Sequence, residues 1–113
     1  MNQAKRDLHL IQNDVRNGDT AAYNELAIVY LDYPEDSLLP YAIMMADKYD
    51  YTKAYLDVYY CILDMYAGGD VARINEIDLA NRKKALKYLK VAADRGLEQA
   101  KTDLDTIEQK SMN

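Results

Sequence analysis

The run KALKYLKVAADRGLEQA, residues 84–100, decides the fold. Ala85, Leu89, Ala92 and Ala93 recur at helical spacing and form a face of small residues that a second helix can approach closely. Gly96 follows Arg95 where this helix should stop, because glycine enters the left-handed cap without steric cost. Asp78 or Asn81 is placed to cap its start. Past the glycine, Ala100, Leu104 and Ile107 share a face of a last helix starting near Leu97, and the tail Lys110-Ser111-Met112-Asn113 is expected to fray.

The same pattern recurs upstream. Gly18-x-x-x-Ala22-x-x-x-Leu26-Ala27-x-x-Tyr30 sets a spacing that Asp50-x-x-x-Ala54-x-x-x-Val58-x-x-x-Ile62 echoes and Gly96-x-x-x-Ala100-x-x-x-Leu104 starts again. Four further helices follow from the periodicity. The first carries Leu8, Ile11 and Val15 and stops at Asn17-Gly18. The second is capped by Asp19 or Thr20, has Ala22, Leu26, Ala27 and Tyr30 on one face, and breaks at Tyr33-Pro34-Glu35-Asp36. The third starts from a Ser37 cap, tolerates Pro40 in its first turn and continues from Tyr41 to Tyr49. The fourth, Tyr51 to Tyr66, is apolar nearly all round. Tyr51, Ala54, Tyr55, Val58, Ile62, Met65 and Tyr66 make one broad face, and Leu56, Tyr60 and Leu63 make a second stripe.

Composition agrees with an all-α chain. Of 113 residues, fourteen are alanine, thirteen leucine and eleven tyrosine, with no phenylalanine or tryptophan. Four glycines and two prolines are too few for the many turns of a sandwich or barrel. The net charge of −5 argues against a general nucleic-acid binder, which needs a dense cationic face. No stretch approaches the roughly 20 apolar residues of a membrane span, and the N-terminus shows no signal-peptide pattern. A lone Cys61 fits a reducing compartment. The expectation is a cytoplasmic protein.

The residues Lys84-Ala85-x-x-Tyr88-Leu89-x-x-Ala92-Ala93-x-x-Gly96-x-x-x-Ala100, with Tyr66-x-x-Gly69-x-Val71 upstream, resemble the Sel-one-like repeat, a relative of the tetratricopeptide repeat. The loop before Lys84 is about seven residues longer than that pattern expects, and Ala27 stands where the first unit would have glycine. The resemblance implies a short right-handed α-solenoid of antiparallel helix hairpins, about six helices in all. It also implies one domain over residues 1–113: an N-terminal capping helix (1–17), repeat one (18–50), repeat two (51–96, with a long loop 68–80) and a C-terminal capping helix (97–110). Such proteins bind partner proteins and carry no catalytic residues, metal or cofactor.

By the same resemblance, the first helix of each pair lines a concave groove. Its residues would be Ala21, Asn24, Ile28 and Leu31, then Lys53, Leu56, Tyr60 and Leu63, then Gln99, Thr102 and Thr106. The Leu56, Tyr60 and Leu63 stripe suits apolar anchoring, with Asp57 and Asp64 steering a basic partner. The competing expectation is that Ile28, Leu31, Leu56 and Leu63 bury one another in so small a domain. Tyr30, Tyr66 and Tyr88 fall at repeat core positions, and Tyr60 is the tyrosine best placed for an interface. Acidic residues gather at Asp32, Glu35, Asp36, Asp47, Asp50, Asp57 and Asp64. Arg82, Lys83, Lys84, Lys87, Lys90 and Arg95 crowd the fifth helix, which reads as a solvated face or as a patch for an acidic partner. His9 and Cys61 have no second member for a nucleophile–base pair or a zinc site, and Asp70, Asn75, Glu76 and Asp78 do not follow a calcium-loop spacing. The function expected is a protein–protein interaction module. The alternatives are an immunity or inhibitor protein for a basic partner, or a protein that self-associates through its solenoid ends.

Overall fold

A computed structural model describes residues 7–31 and 37–112, with side chains through Lys110. All regular structure among the described residues is helical: α1 (Leu8–Arg16), α2 (Thr20–Leu31), α3 (Leu39–Asp47), α4 (Thr52–Ala67), a 3-10 helix (Val71–Glu76), α5 (Leu79–Asp94) and α6 (Glu98–Met112). The all-α class expected from the sequence holds. The Pro34-Glu35-Asp36 break lies outside the described residues. Backbone packing divides the chain into two compact units, Met1–Tyr51 and Thr52–Asn113.

In the first unit, the helix ends follow capping chemistry. Asp7 Oδ1 accepts from the His9 N–H at 2.8 Å, and Asp19 Oδ1 accepts from the Ala22 N–H at 3.0 Å. α3 departs from the expected Ser37 cap: its N-cap is Leu38, which makes no side-chain capping bond, while Ser37 Oγ accepts from the Leu39 N–H at 3.1 Å and Pro40 lies in the first turn. α1 stops at Asn17 because Gly18 turns to φ 88°. A Cβ at Gly18 would lie 2.6 Å from the Tyr49 ring, whose hydroxyl donates to the Arg16 carbonyl at 2.6 Å. Glycine is therefore required here twice, by backbone angle and by space. α3 ends at Asp47, short of the expected Tyr49, and Asp50 takes the left-handed conformation (φ 53°) as the Tyr51 N–H donates to the Met45 carbonyl at 2.9 Å. The buried residues here are Ile11, Val15, Ala22, Tyr23, Leu26, Ala42, Met45 and Ala46.

In the second unit, α5 packs on α4 and on α6, and the 3-10 helix packs on both α4 and α6. The expected loop is thus a structural element. Asp70 caps it by accepting from the Ala72 N–H at 2.9 Å, and Ile74 and Ile77 are buried. Asp78, rather than Asn81, caps α5, its carboxylate accepting from both the backbone and the side-chain amide of Asn81 at 3.2 and 2.9 Å. Those bonds hold the Asp78 carboxyl below its ordinary range. Ala54, Ala85, Ala92 and Ala100 are fully buried, as close helix approach requires. α6 is helical through Met112, so part of the tail expected to fray belongs to it.

Candidate interaction surface

The expected binding residues divide into exposed, half-buried and core positions. On α2, Ile28 is 67% exposed and Leu31 79% exposed. Neither belongs to the core of the first unit. Asn24, one turn before Ile28 on the same face, is half-buried. Its Nδ2 donates to the Tyr51 hydroxyl at 3.2 Å, and its Oδ1 is buried with no hydrogen bond among the described residues. The Tyr51 ring meets Tyr23 edge-on at 5.9 Å, so that turn tyrosine packs within its unit.

On α4, Leu63 is 2% exposed and belongs to the core, which corrects its placement on an exposed stripe. α4 is packed against both α5 and the 3-10 helix, and its buried arc runs from Ala54, Val58 and Ile62 round to Tyr59 and Leu63. Leu56 and Tyr60 are half-buried. Burial, together with the Asp103 and Asp57 charges, raises the Tyr60 hydroxyl above its ordinary pKa. Asp57 is in an ion pair with Lys53 at 3.0 Å, its side chain only 15% exposed, while Asp64 is exposed. The broad apolar face is corrected at its far end, where Met65 and Tyr66 are 55% and 45% exposed. Tyr88 is buried as expected. Tyr30 is half-buried, its hydroxyl accepting from Gln12 Nε2 at 2.9 Å.

The residues expected on the last helix serve a different purpose. Gln99 Nε2 donates to Asp103 Oδ1 at 2.9 Å, and the Tyr59 hydroxyl donates to Asp103 Oδ2 at 2.9 Å. Asp103 is 8% exposed and Tyr59 fully buried, so this carboxylate ties α6 to α4 inside the second unit. Burial first, then the bond to Asp103, pushes the Tyr59 hydroxyl far above its ordinary pKa. Neither member of this pair stands among the candidates read from the sequence. Asp103 lies between Ala100 and Ile107 at helical spacing, and an acid on an apolar face is the signal that identifies it.

Of the acidic cluster, Asp32, Glu35 and Asp36 lie outside the described residues, and Asp47, Asp50 and Asp64 are exposed. Among the described residues no group of His, Cys, Asp or Glu side chains is arranged to hold a metal ion. No helix among them is long and apolar enough to cross a membrane. The Cys61 thiol is half-buried and pushed up to about 11, by burial and then by Asp57 and Asp64. On α5, Arg82 is used internally, donating to the Asn75 carbonyl at 3.2 Å. Arg95 lies 4.7 Å over the Tyr55 ring and donates to Thr52 Oγ1 at 3.3 Å. Lys83, Lys84, Lys87 and Lys90 are exposed.

No family model matches the chain, and no curated protein or solved structure matches it either.

Proposed function

We propose that this chain is a protein-binding module of the cytoplasm, a short α-solenoid of Sel-one-like helical repeats that acts by binding rather than by catalysis. The observation that carries the reading is the exposure of Ile28 and Leu31 on one face of α2. Two large aliphatic side chains a turn apart offer a partner apolar area to bury, at about 25 cal/mol per Å² removed from water. Asn24 continues that face and is tied to Tyr51. Leu56, Tyr60, Lys53, Asp57 and Asp64 form a second, more polar candidate surface on α4, from which Leu63 is withdrawn into the core.

Ile28→Ser combined with Leu31→Ser tests this. Both residues are exposed, so unfolding stability should move by no more than about 0.5 kcal/mol. Affinity for a partner recovered with the wild-type protein and then purified should fall at least about tenfold by calorimetry. Unchanged affinity with an unchanged fold sinks the α2 reading.

One observation favours a narrower version, an immunity or inhibitor protein that neutralises a basic partner. Residues 1–51 carry nine acidic and four basic side chains, whereas residues 52–113 carry ten of each. The whole net charge of −5 thus belongs to the first unit, which would steer a cationic partner towards α2. Growth rescue against a co-expressed basic toxin would mark that version, and its association rate should drop steeply with salt.

A further inference from the structure

We infer that the outer face of α5 is a second docking surface, and that its occupant is an acidic helical segment of a protein partner. At 100° per residue, Leu79, Lys83, Lys87, Lys90 and Asp94 fall on one stripe of this helix, with Lys84 beside it. All are exposed, Leu79 to 57%. Lys83 to Lys90 spans about 10 Å of helix. No carboxylate occurs on α5 before Asp94.

Three other helical cations of the second unit are paired. Lys53 has Asp57 at 3.0 Å, Arg73 has Glu76 at 3.1 Å, and Lys101 has Glu98 at 3.9 Å. Each partner is three or four residues away on the same helix. None of the four α5 lysines has such a pair, although Lys87 Nζ lies 5.7 Å over the Tyr88 ring. Lys83 and Lys87, and then Lys87 and Lys90, are like charges at i,i+4 and i,i+3, spacings that work against the helix. A partner with carboxylates at i, i+4 and i+7 relieves that repulsion.

The pattern of the stripe also selects the kind of polyanion. It opens on an apolar residue, continues with three lysines in line and closes on an aspartate. A protein helix can answer each position, with an apolar residue at Leu79, acids at the lysines and a cation at Asp94. A bilayer or nucleic-acid backbone is negative throughout and meets Asp94 with repulsion. Four lysines alone hold a protein on an anionic bilayer only at about millimolar affinity, and the chain as a whole is −5.

The test uses the full chain and a fluorescein-labelled, 16-residue helical peptide with glutamates at i, i+4 and i+7, read by anisotropy in 50 mM salt. Two lysine pairs are compared, Lys83→Gln with Lys87→Gln on α5 and Lys101→Gln with Lys110→Gln on α6. The net charge change is the same in both. The wild type should bind, the α5 variant should bind about five- to tenfold more weakly, and the α6 variant should match the wild type. Binding should also weaken in 300 mM salt. Circular dichroism should show both variants as helical as the wild type. Equal losses in both variants, or no peptide binding by the wild type, overturn the inference. It is equally overturned if vesicles with 30% phosphatidylserine, or a 20-nucleotide thymidine strand, bind more tightly than the peptide through Lys83 and Lys87.

Discussion

Tyr59 and Asp103 show how much one residue pair decides in a core built mainly from alanine and isoleucine. The carboxylate is 8% exposed and receives two donors, from Tyr59 and Gln99. A buried acceptor that loses a donor keeps its desolvation cost, so Tyr59→Phe should destabilise the protein by about 1–3 kcal/mol in urea unfolding. Adding Asp103→Leu should cost less than the two single changes together, since the second removes the acceptor the first left unsatisfied. Additive effects would show that the hydroxyl and carboxylate do not act as a pair. Leu63 carries a second lesson at this scale. Its apolar character was plain in the sequence, but α4 is packed by both α5 and the 3-10 helix, and periodicity along α4 holds no information about the segments that cover it.

Among the elements, those with local causes were legible. α1 ends at Asn17 and Gly18 because the next backbone angle is one that other residues resist, and α5 begins after Asp78 because its carboxylate accepts from Asn81. Gly18→Ala should destabilise by more than about 1 kcal/mol, because the methyl meets both a positive φ and the Tyr49 ring. Combining it with Tyr49→Ala should recover the steric part and leave the backbone part, which thermal melts of the single and double variants would separate. The 3-10 helix was not legible. Residues 68–80 read as a long loop, because a six-residue helix shows too little periodicity and is held by packing on α4 and α6.

At the scale of the whole molecule, alkaline stability follows from the buried tyrosine. Tyr59 holds its proton in the folded state above the pH of about 10 at which an unfolded tyrosine ionises. Its contribution is therefore constant below about pH 10 and is lost as pH rises further, by up to about 1.4 kcal/mol per pH unit. Denaturation between pH 9 and 11.5 should show this decline, and Tyr59→Phe should flatten it. A slope unchanged in the variant would assign the loss to other groups, Tyr60 first, whose hydroxyl is raised in the same direction. The sequence by itself determined the helical class, most helix ends and the alanine packing faces, since caps and periodicity are properties of neighbouring residues. Only the tertiary structure decided that Leu63 is core, that Tyr66 is exposed, and that Asp103 is the acceptor of a buried tyrosine. Those outcomes depend on which distant segment covers a given face, and burial is a property of the packed chain.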